Sequence, residues 1–171
     1  LTGQNDTKAF IIVSAGFGEM NDEGKKLEKK IADWVTLHDA CLIGPNCIGV
    51  MTPYHASVFS TPIPKLTSEG CDFISGSGAT AVFIIESGIP KGLRFSNVFS
   101  VGNSAQTGVE DVLQYLDENY VEGESSKVKL LYVENIENPD KLLFHASSLI
   151  RKGCKIAAIK AGSSFAGSRA A

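Results

Sequence analysis

The sequence predicts an α/β fold, a parallel sheet with helices on both faces, arranged in three-layer units. Three observations carry this. Short apolar runs alternate with stretches of helical periodicity from residue 9 to residue 159. Most of those runs end at glycine or polar residues, as strands do where they turn into helices. At 171 residues, 43% hydrophobic and 20% charged, the chain has ordinary globular composition and can bury a core without disulfides.

Residues 9–14 form a continuous apolar run, the pattern of a strand buried on both faces. Residues 22–38 read as a helix with Leu27, Ile31, Trp34, Val35 and His38 on one stripe. Lys25, Lys26, Lys29 and Lys30 share that helix with Glu28 and Asp33, which reads as a solvated face. Residues 41–43 are a short strand running into Gly44-Pro45-Asn46-Cys47-Ile48-Gly49. Residues 51–69 hold Pro53, Pro62 and Pro64 and read as an irregular linker, the best place for a domain boundary.

Residues 71–75 are a strand, and 78–87 an almost wholly apolar helix closed by Gly88. A strand at 98–101 ends at Gly102-Asn103. Thr107 and Glu110 fit a capping box for a helix at 108–120, striped by Val109, Val112, Leu113, Leu116 and Tyr120. The strand at 128–133 ends at Glu134. Asn138 caps the last helix, with Pro139 at its first position and Gly153 past its end. Its core stripe is Leu142, Leu143, Ala146, Leu149 and Ile150. The strand at 156–159 leads into Lys160-Ala161-Gly162.

Parallel strands with right-handed crossovers bind ligands at their carboxyl ends. That rule gathers residues 75–78, 102–103, 134–135 and 160–162 on one rim, so a carboxylate, an amide, an ammonium and a helix N-terminus converge. The most informative segment is 75–78. A helix start presents unpaired N–H groups and the positive end of the dipole. Gly76 and Gly78 let an anion come close, and Ser75 and Ser77 add hydroxyls, which is the build of a phosphate or carboxylate cradle. Glu134, at a buried strand end, needs a partner or a raised pKa.

Several classes are excluded. A net charge of −3 argues against nucleic acid and anionic membranes as partners. No apolar run approaches a membrane span, and no signal peptide opens the sequence. Cys41, Cys47, Cys71 and Cys154 form no C-x-x-C pair and no zinc spacing, so no metal site is expected. Reduced thiols of this kind fit a cytoplasmic protein. Gly16-Phe17-Gly18 lacks the third glycine of a dinucleotide loop, and Ser77 does not sit in a nucleophile elbow. His38, His55 and His145 are scattered and read as structural or surface residues. The opening without methionine suggests a chain cut from something longer.

Taken in order, the segments Ser14-Ala15-Gly16-Phe17 with Glu19, Gly44-Pro45-Asn46-Cys47-Ile48-Gly49, Ser75-Gly76-Ser77-Gly78-Ala79, Ser100-Val101-Gly102-Asn103, Tyr132-Val133-Glu134, Lys160-Ala161-Gly162 and Ala166-Gly167-Ser168-Arg169-Ala170-Ala171 resemble the NDP-forming acyl-CoA synthetases, relatives of the succinyl-CoA synthetase α subunit. The resemblance implies that residues 1–65 are the later part of a Rossmann-like CoA-binding domain plus linker. Residues 66–171 would be a flavodoxin-like ligase domain. It implies coenzyme A, acyl-CoA and phosphate as substrates. ATP/ADP or GTP/GDP with Mg would belong to an ATP-grasp domain or β subunit, in an oligomeric assembly. By the same resemblance Gly44, Pro45, Asn46 and Cys47 lie near the CoA thiol and acyl group. Ser75, Gly76, Ser77, Gly78, Gly102 and Asn103 serve the phosphate, and Glu134 orients the phosphorylated histidine.

The chain departs from that family at Gly76, where glutamine or arginine is usual, and at Gln106, where aspartate is usual. The family's Ser-His-Thr-Gly motif would follow Ala171, so these residues alone are expected to be inactive. The alternative implied by the same resemblance is a non-catalytic acyl-CoA sensor, as in relatives fused to protein acetyltransferases, and Gly76 and Gln106 lean toward it. A flavodoxin-like module for some other phosphorylated ligand is a third reading.

Overall fold

The computed structural model describes residues 7–162. Its centre is β5 (Leu66–Ser75), whose last six residues are all buried. Side chains alternate along it as the pleat requires. Ile74 enters one core cluster, with Val101, Val109, Leu113, Leu131 and Leu149. Cys71 and Phe73 enter the other, with Ala81, Ile85, Phe95 and Val98. A strand apolar on both faces must be covered on both, so helices α3 (Val109–Glu118) and α4 (Pro139–Arg151) lie over one side and α2 (Gly78–Gly88) over the other. Fully burying side chains such as Phe73, Ile74, Ile85 or Leu113 stabilises the fold by about 1.5–3 kcal/mol each.

β6 (Phe95–Ser100), β7 (Val128–Val133) and β8 (Lys155–Lys160) complete the parallel part. β5 pairs with β6 on one side and β7 on the other, and β8 follows β7. β8 has a neighbour on one side only among the described residues, and Lys155, Ile159 and Lys160 are exposed on it.

The sheet has six strands, in the order β4-β3-β6-β5-β7-β8. Strands β3 (Val50–Thr52) and β4 (His55–Ala56) form a hairpin, and β3 joins β6 antiparallel. The stretch read as an irregular linker therefore starts inside this hairpin and ends in β5. Its prolines lie between the strands, which is where proline is tolerated.

A second unit precedes this sheet. β1 (Ala9–Ile11) pairs in parallel with β2 (Cys41–Ile43), and α1 (Asp22–Leu37) connects them. The run at 9–14 is thus a strand only over its first three residues. It is not buried on both faces: Ala9 is exposed and Phe10 and Ile11 are half-buried. The stripe expected on α1 holds only in part: Val35 is buried and Ile31 and His38 are half-buried. Leu27 and Trp34 are 49% and 41% exposed, and the buried residues are Gly24, Ala32 and Val35. The helix approaches its neighbours through small residues: a Cβ on Gly24 would lie 1.9 Å from the Phe17 carbonyl oxygen.

Gln106 ties this unit to the larger sheet. Its Oε1 accepts from the Leu42 N–H at 2.6 Å, and its Nε2 donates to Thr36 Oγ1 at 2.8 Å and the Ala40 carbonyl at 3.1 Å.

Two helix details differ from expectation. On α3 the N-cap is Gly108, not Thr107, and Asp111 rather than Glu110 reaches back to the Gly108 N–H at 2.7 Å. Glu110 is buried and accepts instead from the N–H groups of Glu137 and Asn138. On α4, Leu143 and Ile150 are exposed, while His145 and Leu149 are buried. Leu142, Ala146 and Leu149 keep the apolar seam, and a polar contact borders it: His145 Nδ1 lies 2.8 Å from Asp117 Oδ2, and Lys152 donates to Asp117 Oδ1 at 2.7 Å.

Candidate functional site

The chain leaves β5 for β6 on one side and returns to β7 on the other. Such a switch point opens a crevice at the carboxyl ends of β5 and β7. A cleft of about 740 Å³ lies there, with Gly76, Ser77, Gly78 and Ala79 on one wall, Glu134 and Asn135 beside them, and Glu19, Glu28 and Asn103 opposite.

Local bonds shape the 75–78 loop. The Gly76 N–H donates to the Tyr132 carbonyl at 2.8 Å, and a Cβ there would stand 3.3 Å from the Glu134 nitrogen. Ser75 is fully buried; its hydroxyl donates to the Ser77 carbonyl at 2.8 Å and accepts from the Ser77 N–H at 3.2 Å. Ser75 therefore folds the loop and does not line the cleft. Ser77 caps α2, its Oγ accepting from the Thr80 N–H at 3.3 Å. This leaves Gly78 and Ala79 at the open end of the helix, on the cleft wall.

Burial pushes the Glu134 carboxyl above its ordinary pKa, with the Ser77 hydroxyl and the Lys160 charge opposing. Lys160 itself donates to the main-chain oxygens of Glu134 and Ala161, so its ammonium braces the rim and is absent from the cleft wall.

The opposite wall comes from the smaller unit. Burial alone would raise the Glu19 carboxyl. Hydrogen bonds from Asn103 and from the Gly16 and Phe17 N–H groups outweigh that and hold it at about 2. Asn103 Nδ2 donates to Glu19 Oε2 at 2.6 Å and Glu28 Oε2 at 2.8 Å, while its Oδ1 accepts from Asn46 Nδ2 at 3.2 Å. Gly102 is needed for a close approach: its φ is +56°, and a Cβ would sit 2.2 Å from the Pro45 carbonyl oxygen. The Asn103 N–H donates to that oxygen at 2.9 Å, and Ala105 donates to the Gly44 carbonyl at 3.2 Å.

The structure thus brings together Gly76, Ser77, Gly78, Gly102, Asn103, Asn46 and Glu134 of the residues read from sequence. Gly44, Pro45 and Cys47 stand behind the wall. Cys47 is buried with its thiol on the Ile12 carbonyl at 3.4 Å, and burial raises its pKa. The segment from Ala166 to Ala171 lies outside the described residues. Glu28, read as part of a solvated face, instead accepts from the Gly18 N–H at 3.1 Å and from Asn103. The tie from Asn103 to Glu19 spans 84 residues, and no local pattern announces it.

Among the described residues, no group of three or more His, Cys, Asp or Glu could hold a metal ion, and no helix is long and apolar enough to cross a membrane. The helix end, with its backbone N–H groups and a neighbouring Glu134 carboxyl that holds its proton to higher pH than usual, suits an anion on that side of the cleft, while Glu19 and Glu28 make the opposite wall acidic.

Comparison with known proteins agrees with this geometry. Residues 68–171 match the succinyl-CoA ligase like flavodoxin domain. The chain is 35% identical over 169 residues to the α subunit of an ADP-forming acetate–CoA ligase of Pyrococcus furiosus, covering 99% of this chain and 36% of that one. It is 33% identical to an ADP-forming acetate–CoA ligase of Archaeoglobus fulgidus, covering 99% of this chain and 24% of that one. A solved structure from Pyrococcus horikoshii OT3 superposes with a TM-score of 0.83 at 32% identity, over 96% of this chain and 36% of that one. The chain spans about a quarter to a third of the length of these two relatives. Over residues 68–171 it belongs to the family of succinyl-CoA ligase like flavodoxin domains.

Proposed function

We propose that this chain is the acyl-CoA-handling part of an NDP-forming acyl-CoA synthetase. Residues 1–65 contribute the end of a CoA-binding domain, and residues 66–171 the ligase domain. The observation that carries the reading is the open N-terminus of α2 beside the half-buried Glu134 in one cleft. The resemblance of the relatives, named as ADP-forming acetate–CoA ligases, supports it.

In this reading a phosphate oxygen attacks the thioester carbonyl, the C–S bond breaks, and CoA leaves as the thiol. The acyl phosphate then passes its phosphoryl group to a histidine on a further segment, releasing the carboxylic acid. NDP takes the phosphoryl group from that histidine in an ATP-grasp domain or β subunit with Mg. The N–H groups of Gly78 and Ala79 and the dipole of α2 hold the phosphoryl oxygens, with Gly76 leaving room for them. Glu134 accepts from the histidine's other nitrogen and fixes its orientation. Ser75 acts by shaping the loop, Gly102 and Asn103 by holding the wall, and the 44–47 loop by supporting the acyl end. Such catalysis is mostly positioning and charge stabilisation.

The test is to incubate the full-length protein, together with its nucleotide-binding domain or subunit, with γ-labelled ATP and Mg and look for acid-labile, base-stable phosphate. Labelling that disappears on exposure to acetate and CoA supports the reading. Absence of labelling, in a protein that still binds acyl-CoA, would overturn it in favour of an acyl-CoA sensor. Gln106 no longer leans toward the sensor, because its amide is spent on Leu42, Thr36 and Ala40 and it is not on the cleft wall.

A further inference from the structure

We propose that Gln106 is a positioning residue that sets the acyl-CoA end of the cleft against its phosphate end. The inference rests on the synthetase reading above. Its basis is a single loop, residues 102–107, that grips the smaller unit at both ends. At one end Gly102 packs on the Pro45 carbonyl, and Asn103 bonds Pro45, Asn46, Glu19 and Glu28. At the other, the Gln106 amide makes three bonds to residues 36–42, the end of α1 and the start of β2. β2 runs straight into Gly44, so its placement is the placement of the 44–47 loop.

The chemistry selects glutamine. One acceptor must meet the Leu42 N–H, and two donors must meet a hydroxyl and a carbonyl. Leu42 is fully buried, so its N–H has no water to turn to when that acceptor is lost. A glutamate at 106 keeps the acceptor but cannot donate to the Ala40 carbonyl. A leucine keeps neither. Gln106 lines no part of the cleft, so its effect passes through the loop and strand it holds.

The experiment compares Gln106→Leu and Gln106→Glu with the unaltered full-length protein, together with its nucleotide-binding domain or subunit. Two readouts are taken: the acetyl-CoA concentration dependence of acyl phosphate formation, and the rate of labelling from γ-labelled ATP. The leucine variant is expected to raise KM for acetyl-CoA by about tenfold, because a displaced 44–47 loop no longer meets the acyl end in its proper place. Labelling from ATP should stay within about twofold, since it does not use the CoA end, and the glutamate variant should fall between. An unchanged KM overturns the inference. So does an equal fall in both half-reactions, which would mark a general structural role. If the leucine variant does not fold, the glutamate variant's KM against its labelling rate decides by the same criteria. An unaltered protein that takes up label yet shows no acetyl-CoA-dependent turnover would overturn the positioning role, whereas one that neither labels nor binds acetyl-CoA would overturn the synthetase reading as well.

Discussion

Asp72 and Glu134 are both carboxylates at the central strands, and the protein treats them in opposite ways. Asp72, on β5, is 1% exposed and fully partnered: Lys129, itself 0% exposed, donates to one oxygen, and Asn97 Nδ2 donates to the other at 2.7 Å. Lys129 also donates to the Ser126 carbonyl at 2.7 Å. Glu134, at the strand ends, has the Ser77 hydroxyl and a more distant Lys160 charge, and burial lifts its pKa. A carboxylate that is closed off and satisfied holds the fold. One that is half-buried and has few partners among the described residues on a cleft wall is open to a further hydrogen-bonding group.

The sharpest way to break this contrast is to remove one side of the closed pair. Lys129→Ala strands the Asp72 charge in the core and is expected to cost about 3–5 kcal/mol in urea unfolding. Replacing both residues with apolar ones, Asp72→Leu with Lys129→Met, should recover most of that loss. If the single change is silent, the pair is not what holds the sheet there. Next in size is Gly102→Ala, which forces a Cβ onto the Pro45 carbonyl at positive φ. It should cost about 2 kcal/mol or more by the same measurement.

Two pH experiments separate the carboxylates further. Glu19 is held at about 2 against a usual value of 4.5. Its bonds therefore add stability above about 4.5 that is lost as pH falls toward 2. Glu19→Gln should flatten the acid limb of the stability curve. Glu134 has the reverse sign. Its raised folded-state pKa favours the folded protein while it is protonated, and that contribution is lost as pH rises through the folded value. Glu134→Gln should remove this small fall just above the ordinary glutamate range, seen in thermal melts at stepped pH. A curve that keeps the fall would mean that another group carries it.

The sheet was legible because β5, β6 and β7 each carry a short apolar run, Phe73–Ile74, Val98–Phe99 and Leu130–Val133, that stops at a polar residue. Ser77, Asn138 and Gly153 act at helix ends through neighbours a few residues away, so their roles could be read locally. The hairpin at β3 and β4 could not. It has five paired residues among prolines, and its stability comes from β6, more than forty residues on. The second wall of the cleft was equally hidden. Glu28 sits among lysines on α1, and only Asn103, folded back across 75 residues, distinguishes it from a solvated glutamate. Gln106 looked like a departure from a pattern, and its meaning lies in three polar atoms that the fold alone brings near.

The outermost strand carries a different lesson. Lys155 and Lys160 bracket β8, with Ile156 and Ile159 between them. Two copies meeting edge to edge in antiparallel register about Ala157 would set Lys155 of each opposite Ile159 of the other, leaving each ammonium without an opposite charge across the pair. Lys155 thus acts as a gatekeeper on this edge, which has no strand beyond it among the described residues, and a strand with acidic ends would pair with it more readily.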